Sequence, residues 1–130
     1  MKQKVPQSLR RWFLIHFVVD MLFAIPLIVS PVWFLRLLGF GVVEPFTTRL
    51  VGAALVGIGG VSLAAHKAGI ETFNALLTLK ILWSLSAMLG IILTLIQGGP
   101  KVGWLIGGMF FVFSTVWAYY KIRIKKLTNP

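Results

Sequence analysis

Residues 12–30, WFLIHFVVDMLFAIPLIVS, follow Arg10 and Arg11 and fix the solvent for which this chain is built. A helix rises about 1.5 Å per residue, so a run of about 20 apolar residues matches the hydrocarbon core of a bilayer. Asp20 stands near the middle of this run and is the only carboxylate inside the apolar segments. A charge at that depth costs about 2.5–3.5 kcal/mol on insertion scales, so it faces protein or water and takes a partner. Three more apolar blocks follow, at residues 47–66, 72–96 and 102–120, separated by short polar breaks. The expected fold is all-α: an integral membrane four-helix bundle forming a single domain over residues 1–130.

Composition removes several alternatives. Of the 130 residues, 58 % are hydrophobic and only 12 % are charged, too few to coat a soluble domain of this size. The absence of cysteine excludes disulfides, thiolate catalysis and thiolate metal ligation. The net charge of +10 gathers at the two ends of the chain, beside apolar segments. There lysine and arginine set topology and meet anionic membrane lipids, which are the expected partners; nucleic acid is not. The first block has the basic start and apolar middle of a signal peptide. It is long, however, Pro31 directly follows Ser30, and no Ala-x-Ala-like site appears, so it is expected to remain as the first helix.

Residues 31–46, PVWFLRLLGFGVVEPF, are too short to span. Ser30 then Pro31 signals a helix start and Gly39 a stop. With Trp33, Phe34, Leu37 and Leu38 apolar and Arg36 polar, this is expected to be a one-to-two-turn helix lying in the interface between the first two spans. Thr47 or Thr48 is the expected cap of the next span. That span carries Gly52, Ala53, Gly57 and Gly60, small residues through which helices approach closely in lipid. Arg49 falls on the same side by the helical period and is expected to face helices rather than lipid. The last span carries the GxxxG pair Gly103 and Gly107.

Topology follows from the thirteen lysines and arginines. Nine (Lys2, Lys4, Arg10, Arg11, Lys67, Lys121, Arg123, Lys125 and Lys126) fall on one side of the spans. Arg36, Arg49 and Lys101 fall on the other, and Lys80 lies within a span. The positive-inside rule then gives a multi-pass protein of the inner (plasma) membrane with both termini cytoplasmic. Trp12, Trp117, Tyr119 and Tyr120 would form the inner aromatic belt.

Asp20 lies about nine residues beyond Arg11, and Lys80 nine beyond Glu71, so each sits about 13 Å up its helix from the same side. The readings are a static ion pair locking two helices, or a proton- or ligand-linked site. Snorkelling of Lys80, or an Asp20–Arg49 pair, stays open beside them. His16, four residues before Asp20 on the same face, either relays a proton or donates one hydrogen bond. Arg49 either holds a lipid phosphate or other anion, or bonds loop carbonyls. Phe13, Phe17 and Phe23 either line a quinone pocket near Asp20 or simply pack. With two histidines and three carboxylates, neither a metal centre nor a haem is expected, and no catalytic residue set stands out.

The order of a first helix, PVWFLRLLGF, TTRLVGAALVGIGG, two further spans and a basic end resembles the small bacterial four-helix membrane proteins of the DoxX-like group. The likeness is most specific at the Leu-Gly of the first loop and at Arg-Leu-Val-Gly-Ala, residues 49–53. It implies a four-helix bundle. Some members are linked to quinone-dependent oxidation and many have no known activity, and no family catalytic residue maps onto this chain. The expected role is structural or accessory, as a homo-oligomer or within a larger membrane complex, with no cofactor. The alternatives are a proton-coupled small-molecule transporter using Asp20, and a quinone- or lipid-binding enzyme subunit.

Overall fold

The structure, a computed structural model, describes residues 4–128. These form five helices: α1 (Gln7–Val29), α2 (Pro31–Leu37), α3 (Pro45–Ala64), α4 (Ile70–Ile96) and α5 (Val102–Thr128). All but α2 are long and apolar enough to cross a bilayer. The burial pattern agrees. Helix α1 buries Leu9, Phe13, His16, Asp20, Ala24 and Leu27 at three- and four-residue spacing, and exposes Ile15, Val18, Leu22, Ile25 and Val29. Beyond Arg11, the two ionisable groups of α1, His16 and Asp20, point inward and its aliphatic face outward, the reverse of a helix built for water. The chain is a small multi-pass integral membrane protein.

Two compact units result, Gln7–Lys67 and a second containing residues 68–128. In the first, α1 and α3 form an antiparallel hairpin joined through α2. Helix α3 buries Thr48, Gly52, Leu55, Gly59 and Ser62, again at three- and four-residue spacing. At Gly52 a Cβ would lie 2.7 Å from Ile28 Cγ1 and 3.2 Å from the Ala24 carbonyl oxygen, so the missing side chain is what lets the two backbones close.

Both ends of this hairpin are fastened by arginine, reciprocally. Arg10 of α1 donates from Nη1 to the His66 carbonyl just past α3, at 2.8 Å. Arg49 of α3 donates from Nε to the Ile28 carbonyl at the end of α1, at 3.0 Å. The last carbonyls of a helix lack intrahelical donors and carry its negative dipole end, so a guanidinium suits them twice over. Pro31, which brings no N–H to the first position of α2, leaves that junction short of donors. Arg49 is thus an exposed residue whose head turns back onto α1. A long stem lets the charge reach a neighbour from outside the seam.

Two glycines end their helices in the left-handed region, each satisfying two orphan carbonyls. Gly39 (φ 102°) closes α2, with Gly39 N–H on Arg36 and Phe40 N–H on Leu35, both at 3.0 Å. Gly98 (φ 84°) closes α4 in the same way, with Gly98 N–H on Leu95 and Gly99 N–H on Thr94. The cap of α3 is Glu44 rather than Thr47 or Thr48. Its carboxylate accepts from Phe46 N (2.9 Å) and Thr47 N (2.6 Å), ahead of Pro45 at the first helical position. The Thr47 hydroxyl, then the Thr47 and Phe46 amides, hold this carboxyl below its ordinary value of 4.5, because they bond its charged form.

The ends of α1 and α5 reach further than expected, to Gln7 instead of 12 and to Thr128 instead of 120. Hydropathy marks where lipid begins, whereas a helix continues while packing rewards it; Leu9 and Ile124 are completely buried.

In the second unit α4 and α5 form another antiparallel hairpin. Near its turn Gly103 and Gly107 face α4, where a Cβ would come within 2.9 Å of Leu95 and 3.3 Å of Ile91 respectively. At the open end Lys121 Nζ donates to the Asn74 carbonyl (3.0 Å), Asn74 Oδ1 (2.6 Å) and Thr78 Oγ1 (2.6 Å), using all three of its protons. Of the expected aromatic belt, Tyr119 is exposed, but Trp117 and Tyr120 are buried.

Candidate functional site

The buried stripe of α1 would be wholly apolar but for His16 and Asp20, both 5 % exposed. One helical turn brings them together: His16 Nε2 lies 3.3 Å from Asp20 Oδ1. The contact is an ion pair when the imidazole is protonated. Opposite, α3 offers Gly59. A Cβ there would lie 2.7 Å from Asp20 Cβ and 3.1 Å from Oδ2, so the carboxylate side chain rests directly on the α3 backbone. Ser62, fully buried three residues on, donates its hydroxyl to the Ile58 carbonyl at 2.9 Å. An imidazole and a carboxylate shielded by apolar packing can exchange a proton, or can hold two helices in register.

Lys80 lies in the second unit, on the buried face of α4 with Phe73, Leu77 and Ser84. It is completely buried, and its Nζ sits 5.0 Å from the centre of the Trp117 ring of α5, within reach of the negative face of the indole. Phe113 stacks against Trp117 at 5.8 Å, and Ser84 donates to the Lys80 carbonyl at 2.6 Å.

The expected small-residue set of α3 divides. Gly52 is on the seam. A Cβ at Gly57 or Gly60 would meet nothing within 4 Å, and Ala53 is exposed. The seam glycine that the small-xxx-small reading passed over is Gly59, which lies roughly opposite Gly57 at 100° per residue. Its signal is present in the row Thr48, Gly52, Leu55, Gly59, Ser62, which repeats the spacing of α1's buried stripe. Phe13 is completely buried, while Phe17 and Phe23 are half-buried, Phe23 meeting Phe34 edge-on at 6.2 Å. Arg49 is engaged with the Ile28 carbonyl at the end of α1, a helix carbonyl rather than a loop carbonyl. The Trp117 and Lys121 contacts carry no motif and emerge only from the pairing of α4 with α5.

Comparison with known proteins adds no relative: no family model, no curated protein and no solved structure matches the chain.

Proposed function

We propose that this protein acts as a structural or accessory component of a membrane, with its intramembrane ionisable groups serving as polar locks. The observation that carries this reading is that these groups are buried in helix packing: Asp20 beside His16 and against Gly59, and Lys80 over the Trp117 ring. Buried polar contacts of this kind fix register between helices that lipid alone would leave free to slide. The Asp20–Lys80 pair is carried forward as a proposal resting on matched depth alone. The placement is the inner (plasma) membrane with both termini cytoplasmic, supported by nine cationic side chains against three. A reporter fused after Pro130 should be active in the cytoplasm, and periplasmic activity would overturn this topology.

A proton-linked role for Asp20 is the second reading, favoured by the His16–Asp20 contact itself. Purified protein in liposomes carrying a pH-sensitive dye separates the two. The structural reading expects an imposed pH gradient to decay as in empty liposomes. Faster decay that Asp20→Asn abolishes, in a variant that still folds, would replace it with the proton-linked one. The resemblance to DoxX-like proteins, and the quinone chemistry of some of them, supplies no residue role to either reading.

A further inference from the structure

We propose that a groove at the basic end of the first unit holds the phosphate-bearing headgroup of an anionic phospholipid, a proposal that rests on α1 and α3 crossing a bilayer. The groove, a cavity of about 390 Å³, is lined by Gln7, Arg10, Arg11, Leu14, His66 and Lys67. That volume falls in the range of small-ligand clefts, about 300–1,000 Å³. Its walls are the opening turns of α1 and the residues just past α3. The free N–H groups and positive dipole end of α1 lie at the same place, which favours an anion there.

Charge in the groove is one-sided. Arg10, Arg11 and Lys67 line it and no carboxylate does. Of the chain's three side-chain carboxylates, Asp20 lies in mid-α1, Glu44 caps α3 at the opposite end of the hairpin, and Glu71 is not among the lining residues. Arg10 is committed to the His66 carbonyl, and the His66 ring donates from Nδ1 to the Leu63 carbonyl at 2.6 Å. Arg11 and Lys67 are both exposed, and among the described residues no hydrogen bond or ion pair engages their side chains. Two exposed cations beside a third held by the His66 carbonyl make a cradle for a phosphodiester, with arginine able to grip it through two parallel bonds.

The apolar half of the groove distinguishes a lipid from a free phosphate. Leu14 forms its inner wall, and beyond it α1 exposes Ile15, Val18, Leu22 and Ile25 in one continuous face. An acyl chain hanging from a phosphate at Arg11 and Lys67 would run along that face, in the direction of the bilayer core. Inorganic phosphate would use none of it.

The test is thermal unfolding of the full chain in neutral detergent, titrated with phosphatidylglycerol, phosphatidylcholine or sodium phosphate at constant ionic strength. A ligand that binds only the folded state raises the midpoint in proportion to its occupancy. Phosphatidylglycerol should raise it while the other two leave it unchanged. The double variant Arg11→Gln, Lys67→Gln should bind phosphatidylglycerol about thirtyfold more weakly, about fivefold for each lost cation. Lys101→Gln, in the second unit, should bind like the parent. Equal stabilisation by phosphatidylcholine, or a double variant that binds like the parent, would overturn the proposal. Stabilisation by sodium phosphate alone would overturn it in favour of a soluble-anion site. Failure of the bilayer reading is seen separately, as a chain extracted from membranes by alkaline carbonate; a chain that resists carbonate yet ignores phosphatidylglycerol sinks only the lipid site.

Discussion

Gly59→Leu should be the most damaging single change in the first unit. A Cβ at Gly59 falls 2.7 Å from Asp20 Cβ, an atom fixed to the α1 backbone, so the clash cannot be relieved by a side-chain rotation. The helices must separate, which loosens the Gly52 contact and shifts the two arginine clasps together with it. Overpacking of a tight core costs about 1–3 kcal/mol, and a backbone-level clash belongs at or above the top of that range. Gly57→Leu is the internal control, since a Cβ there meets nothing within 4 Å, and it should stay within about 0.5 kcal/mol of the parent. Thermal unfolding in one detergent checks both. Parent-like melting of Gly59→Leu would show that α1 and α3 do not close at this glycine. A large loss for Gly57→Leu would show that the outer face of α3 is covered in the folded protein.

The second large effect is expected at Lys80. Lys80→Met keeps the stem and removes the ammonium from a completely buried position. Removing one member of a buried charge pair costs about 3–5 kcal/mol in a soluble interior, and less where lipid-facing side chains can reach water. Asp20→Asn should also destabilise, by loosening its contact with His16. The proposal that Asp20 and Lys80 pair adds a stricter expectation: the double variant should lose less than the sum of the single losses, by about 0.5–3 kcal/mol. Additive losses would reject the pair. The contacts that then remain to explain the losses are His16 for Asp20 and the Trp117 ring for Lys80.

How much was legible beforehand depended on the range of the physics. Pro31, Gly39 and the apolar run between them announced α2, because proline at a helix start and glycine at its stop act through their own backbone angles. The spans were legible because lipid is a uniform solvent that rewards apolar length. The cap of α3 was misread by a few residues, since Glu44 does what Thr47 or Thr48 could equally have done, and only the chain path past Pro45 decides among them.

Which face of each span turns inward was a different kind of question. In water an apolar stripe marks the core; in lipid both faces of a helix are apolar, and small residues on α3 occur all round it. Two glycine sets, Gly52 with Gly59 and Gly57 with Gly60, were therefore nearly equivalent as text. The choice between them fell to the opposing surface of α1, where Asp20 and Ile28 need room that only a missing side chain provides. The same holds for Arg10 and Arg49, whose partners are carbonyls more than 20 residues away along the chain. By itself the sequence determined that four helices cross the membrane and that charges are buried among them, because transfer from water to hydrocarbon acts residue by residue. Tertiary structure alone decided which glycines, arginines and aromatic rings receive those charges and helix ends, because close packing and hydrogen bonding require a partner at a specific distance.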